Sequence, residues 1–139
     1  MQNPPPNQQG DANAKTALGL DANLGAALGY PIGIIALILF IMEKENRYAR
    51  FHALQSLLYH VGAVVVFIAL SIILTILSIV LAMINNTLGT LVGGLLWLLF
   101  MVVFLVYFVG LLFCALKAYQ GNWLKLPVIG NMAEKIINK

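Results

Sequence analysis

The chain has 139 residues, of which 61% are hydrophobic and 9% charged, whereas soluble domains are about a quarter charged. That balance excludes an ordinary soluble globular domain, and the length allows one domain at most. The net charge of +3 comes from basic residues that flank apolar runs without forming an aromatic-interleaved stripe, which excludes nucleic acid as a partner.

Residues 1–23 read as a flexible polar N-terminal tail, opened by Pro4-Pro5-Pro6 and Gln8-Gln9 and lacking the basic start and apolar core of a cleavable signal peptide. Asp21 or Asn23 is placed to cap the helix that follows. The first span, 24–42, is just long enough to cross about 30 Å of hydrocarbon. Gly25, Gly29 and Gly33 fall four apart on one of its faces, a stripe that lets another helix backbone approach closely. Pro31 is expected to kink it.

Glu43 to His60 then gathers charge and both histidines. Glu43 and Arg47 stand at i and i+4 in the favourable order for a helical pair. Arg47 and Arg50 read as membrane-surface anchors. From Arg50 to Lys117 no Asp, Glu, Lys or Arg intervenes. The second span, 51–84, is strongly β-branched, but a bilayer requires backbone hydrogen bonds within the segment and so enforces helix. Asn85-Asn86-Thr87 makes a tight polar turn. The third span, 88–116, repeats the four-residue glycine spacing at Gly89 and Gly93, close to where two helices must cross. Its aromatic residues read as packing or lipid contacts.

In the tail, 117–139, Lys117, Trp123 and Lys125 suit the headgroup region as further anchors. Residues 131–139 have amphipathic character and read either as a short helix lying on the membrane or as a solvated end. The fold class is therefore all-α integral membrane: three transmembrane helices within 24–116 plus a short C-terminal amphipathic segment. With three spans, both basic regions fall on one side. The positive-inside rule then places the N-terminus outside and the C-terminus in the cytoplasm of a bacterial inner membrane.

His52 and His60 are the only candidates for acid–base work or metal ligation, and no carboxylate lies near them in the apolar spans. No HExxH, CxxC, phosphate loop or nucleophile elbow is present, and the lone Cys114 permits no internal disulfide. Eight residues apart on a helix, the two rings stand about 12 Å apart along the axis and cannot share a metal. His52, Gln55, Ser56 and Tyr59 share a face and form a polar seam. Three readings stay open for it: interhelical hydrogen bonding, a lining for a substrate or peptide path, and an axial imidazole for haem or chlorophyll.

Arg50-Phe51-His52-Ala53-Leu54-Gln55-Ser56-Leu57, preceded by Gly29-Tyr30-Pro31, resembles a family of small bacterial membrane proteins of unknown function. That family is related to the chloroplast inner-envelope import component. The stretch from Ala118 to Gly130 is similar to its ending. The resemblance implies a polytopic membrane fold and a link to protein translocation, and supplies no catalytic residue. The expected function is a non-enzymatic accessory or structural subunit of a larger membrane complex, respiratory or photosynthetic in type. Its partners are the lipid bilayer and other transmembrane helices, or copies of itself. The alternatives are a translocation or transport component and a haem- or chlorophyll-binding subunit through His52 or His60; no cofactor is expected on the leading reading.

Overall fold

A computed structural model describes residues 12–138. The expected tail up to Asp11 lies outside the described residues, as does Lys139. Five helices follow in order: α1 (Ala22–Gly29), α2 (Gly33–Met42), α3 (Arg47–Ile84), α4 (Asn86–Tyr119) and α5 (Ile129–Ile137). The described residues contain no strand, which fits an all-helical membrane protein. Two helices, α3 and α4, are long and apolar enough to cross a bilayer. At 1.5 Å per residue they measure about 57 and 51 Å, well beyond the roughly 30 Å of hydrocarbon.

The chain divides into two compact units, one holding the chain up to His60 together with Gly110 onward, the other Val61–Val109. The second unit is a helical hairpin. Only Asn85 separates its helices, and the Asn85 side chain caps α4 by accepting the Thr87 and Leu88 N–H groups at 2.9 and 3.2 Å. Close by, a Cβ on Gly89 would lie 2.5 Å from Ala82 Cα, so the two backbones approach where Gly89 alone permits it. Gly93 faces Ser78 with ordinary room. Phe67 stacks among Phe100, Phe104 and Tyr107 at centroid distances of 5.4, 6.0 and 5.6 Å. Most of this unit's other large apolar side chains point outward, from Val61 and Val65 on α3 to Leu105 and Val106 on α4. That is the surface of a protein whose solvent is lipid.

The first unit corrects the expected 24–42 span. Instead of one crossing helix there are two short ones, broken where Pro31 supplies no N–H to continue the first. They fold back on each other through the glycine stripe. A Cβ on Gly29 would sit 3.3 Å from that of Ala36, and one on Gly25 3.5 Å from Leu39 Cδ2. The stripe is thus used inside the chain, and neither helix alone is long enough to span. Among the described residues, α3 and α4 are the helices long and apolar enough to cross.

The segment 12–21 is folded as well. Thr16 bonds the Leu20 carbonyl through both its N–H and its hydroxyl, and Lys15 bridges Asp21 at 2.9 Å. The Ala17 N–H reaches Glu43 at 2.7 Å, and Asn23 Nδ2 reaches the Tyr119 carbonyl at 3.1 Å. The chain from Ala12 therefore packs in the same unit as the first basic loop and the C-terminal tail.

Candidate functional site

The site grows from the first three turns of α3, where Tyr48, Ala49 and every residue from Phe51 to Ser56 are buried. Asn46 caps this helix by accepting the Ala49 N–H at 3.1 Å. Just before it, Glu43 closes the loop. Its carboxylate accepts N–H groups from Ala17 on one oxygen, at 2.7 Å, and from Glu45 and Asn46 on the other, both at 2.9 Å. Burial works to raise this carboxyl, but the backbone donors from Asn46, Ala17 and Glu45 outweigh it and hold the group below its ordinary value. Glu43 is outside any helix, so the expected i, i+4 pair with Arg47 does not form; Arg47 instead donates to Asn138 Oδ1.

His52 and Gln55 form the centre. His52 Nε2 lies 3.1 Å from the Asn122 carbonyl and Nδ1 lies 3.0 Å from the Tyr30 hydroxyl. A carbonyl only accepts, so Nε2 carries the proton and Nδ1 accepts from Tyr30. Gln55 Nε2 donates to the Tyr30 oxygen at 2.7 Å and to the Leu124 carbonyl at 3.0 Å. Gln55 Oε1 in turn accepts the Leu126 N–H at 3.1 Å. One self-consistent proton arrangement satisfies every member.

Two side chains extend the network. Ser56 donates to the Gly29 carbonyl at 2.8 Å, satisfying an end group of α1, and Tyr48 donates to the Ala118 carbonyl. The rings of Tyr48, Phe51 and Trp123 surround His52 at 4.5, 5.2 and 6.4 Å. Gly130 closes the site, since a Cβ there would fall 2.7 Å from Gln55 Oε1 and 2.9 Å from Lys125 Cα.

Chemically this is a latch. His52 and Gln55 of α3, tied together by Tyr30 of the α1–α2 turn, satisfy carbonyls and an N–H group of an irregular segment, 120–126. Of the expected seam, His52, Gln55 and Ser56 belong to the latch. Tyr59 lies apart, its hydroxyl 2.5 Å from where a Gly110 Cβ would be. The seam is filled by protein atoms, and both His52 nitrogens are engaged, leaving none to face an iron or magnesium in this arrangement. The His60 ring rests on Gly33, with a Cβ there only 2.6 Å from His60 Cδ2.

The expected anchors have assorted neighbours. Lys117 lies over the Phe113 ring at 5.7 Å, Lys125 pairs with Glu134 at 2.6 Å, and Arg50 lies over Phe40 at 5.9 Å. Trp123 packs on Phe51 at 5.1 Å and so serves the latch. Sequence reasoning missed Tyr30, Asn122, Gly130 and the role of Glu43. Tyr30, Asn122 and Gly130 lay within the stretches that carried the family resemblance, but no spacing links them.

The fold and this site define a small helical membrane protein with a lipid-facing hairpin and a polar-latched terminal unit. The chain belongs to the magnetosome magnetite crystal formation protein family (MamF/MmsF), whose model matches residues 13–133. It is 41% identical over 122 residues to a UPF0132 membrane protein of Methanocaldococcus jannaschii, covering 87% of this chain and 93% of the relative. A UPF0132 membrane protein of Archaeoglobus fulgidus is 40% identical over 116 residues, covering 83% and 94%. A second M. jannaschii protein of that group is 32% identical over 120 residues, covering 86% and 72%. No solved structure matches the chain. These relationships overturn the resemblance to the import-component-like family: the relatives are archaeal and magnetosome-related, and the Arg50–Leu57 and Ala118–Gly130 stretches belong with them.

Proposed function

We infer that the protein is a non-enzymatic membrane-structural subunit, held in the bilayer by the α3–α4 hairpin and acting through contacts with other transmembrane helices. The observation that carries this reading is the latch. Its most reactive groups are spent on internal bonding, His52 on the Asn122 carbonyl and Tyr30 on tying His52 to Gln55, which is a structural use. The hairpin supplies the contact surface. A groove of about 380 Å³ runs along it, lined by Ser71, Thr75, Ser78, Gly93, Trp97 and neighbouring apolar residues. Small and hydroxyl side chains of this kind let another helix approach in lipid.

The family description names magnetite crystal formation, while the archaeal relatives are named only as membrane proteins. The membrane character of the archaeal relatives agrees with the lipid-facing hairpin of this chain, and it favours a role in organising membrane over one in chemistry. Every basic residue among those described, from Lys15 to Lys135, lies outside Val61–Val109. The positive-inside rule then favours both described ends on the cytoplasmic side of a cell membrane. Extraction of the native complex in mild detergent tests the reading. Migration together with other membrane proteins or as an oligomer is expected; a chain that runs only as a free monomer would sink it.

A further inference from the structure

Helix α5 carries two apolar stripes, and the latch side uses only one. Ala133 is buried with Phe51 and Leu54 of α3, and Ile137 packs against the same group. The second stripe, Val128, Met132 and Ile136, repeats every four residues and stays 70%, 47% and 44% exposed. The entry to the helix is strained. Val128 has φ 66° and ψ −62°, and the Ile129 N–H bonds the Pro127 carbonyl at 2.7 Å, a γ-turn of the rare hand. A β-branched residue at positive φ is an outlier that persists only where its surroundings compensate. An exposed valine receives no such compensation from protein packing.

The charges around the stripe have one dominant sign. Lys135 borders it on the helix, Lys125 precedes it, and Arg47 holds Asn138 at its end; among these the acid is Glu134, already paired with Lys125. The helix is also fastened through Phe51 and Leu54 to α3, one of the two helices long and apolar enough to cross a bilayer. Lipid is therefore the apolar phase always within reach.

We propose that α5 docks on one leaflet of the membrane, with Val128, Met132 and Ile136 at the boundary of headgroups and acyl chains and Lys125 and Lys135 toward the phosphates of anionic lipid. This goes beyond the anchoring by the hairpin, because it makes the terminal unit a lipid-binding surface in its own right.

The test uses the full chain in lipid vesicles, on a Cys114→Ala background, with nitroxide labels placed singly at Met132→Cys, Ile136→Cys and Asn131→Cys. Labels at 132 and 136 should relax several-fold more with oxygen than with a water-soluble nickel chelate, and the label at 131 should show the reverse. The contrast should widen when zwitterionic vesicles are replaced by anionic ones. Nickel access at 132 and 136 equal to that at 131 would mean a solvated helix and would overturn the proposal. Shielding from both reagents, which a covering protein would cause, would overturn it too. A contrast unchanged by lipid charge would remove the role given to Lys125 and Lys135.

Discussion

Helix α3 lives in two environments. From Tyr48 to Ser56 its side chains are almost all buried, and Tyr48, His52, Gln55 and Ser56 are matched to specific backbone atoms. From Val61 to Ile84 none is buried, and the same helix shows valine, isoleucine and leucine outward. The first stretch is held by directional bonds that fail if one partner is lost. The second is held by lipid, by a capped turn and by one close backbone contact. Specificity and insertion are thus divided along a single element.

The deepest break in this contrast comes from His52→Ala, which leaves the Tyr30 O–H without its acceptor and the Asn122 carbonyl without its donor inside the first unit. A loss of roughly 2–5 kcal/mol is expected, since each buried unsatisfied group costs about 1–3 kcal/mol. Reversible unfolding in mixed micelles measures it, and the Val61–Val109 hairpin should stay helical. The hairpin has its own weak point. Gly89→Ala drives a methyl against the Ala82 backbone and should cost about 1–3 kcal/mol by overpacking. Gly93→Ala meets only Ser78 at 3.5 Å and should be close to neutral. Equal melting shifts for the two glycine variants would contradict the packing described.

Glu43 sharpens the comparison through pH. Its carboxyl is held below the ordinary value in the folded protein, so its stabilisation is complete above the ordinary carboxylate pKa and fades as pH falls through the lower, folded one. The protection of the Ala17, Glu45 and Asn46 amides against hydrogen exchange, taken relative to an unstructured peptide at the same pH, should fall over that acidic range. Glu43→Gln should remove the pH dependence of that protection while lowering the protection at neutral pH. The smallest effect belongs to Lys15→Ala. Its bridge to Asp21 is exposed on both sides, so the thermal midpoint should move by no more than about 0.5 kcal/mol in equivalent stability.

Much of the hairpin was legible from the chain. The uncharged run after Arg50, the Asn85-Asn86-Thr87 turn and Gly89 announce two helices and a tight crossing. The first apolar stretch misled, because hydropathy over 24–42 has the same value for one crossing helix as for two that fold back. What separates them is Pro31 acting together with the Gly25–Leu39 and Gly29–Ala36 contacts, and these pairings are tertiary. The face of His52, Gln55 and Ser56 was visible as a polar seam on an apolar helix. Its purpose was hidden because its partners include the carbonyls of Asn122 and Leu124, backbone atoms some 70 positions away that every residue type possesses. Charge bias alone assigns sides only once the crossings are counted, so orientation rests on the span count.

The single-residue link at Asn85 has a consequence for how the protein communicates. A connection this short leaves little for a protease, an antibody or a soluble ligand to grip on the face where the hairpin turns. Whatever the protein senses or assembles with must meet it within the lipid or from the side that holds both ends of the hairpin.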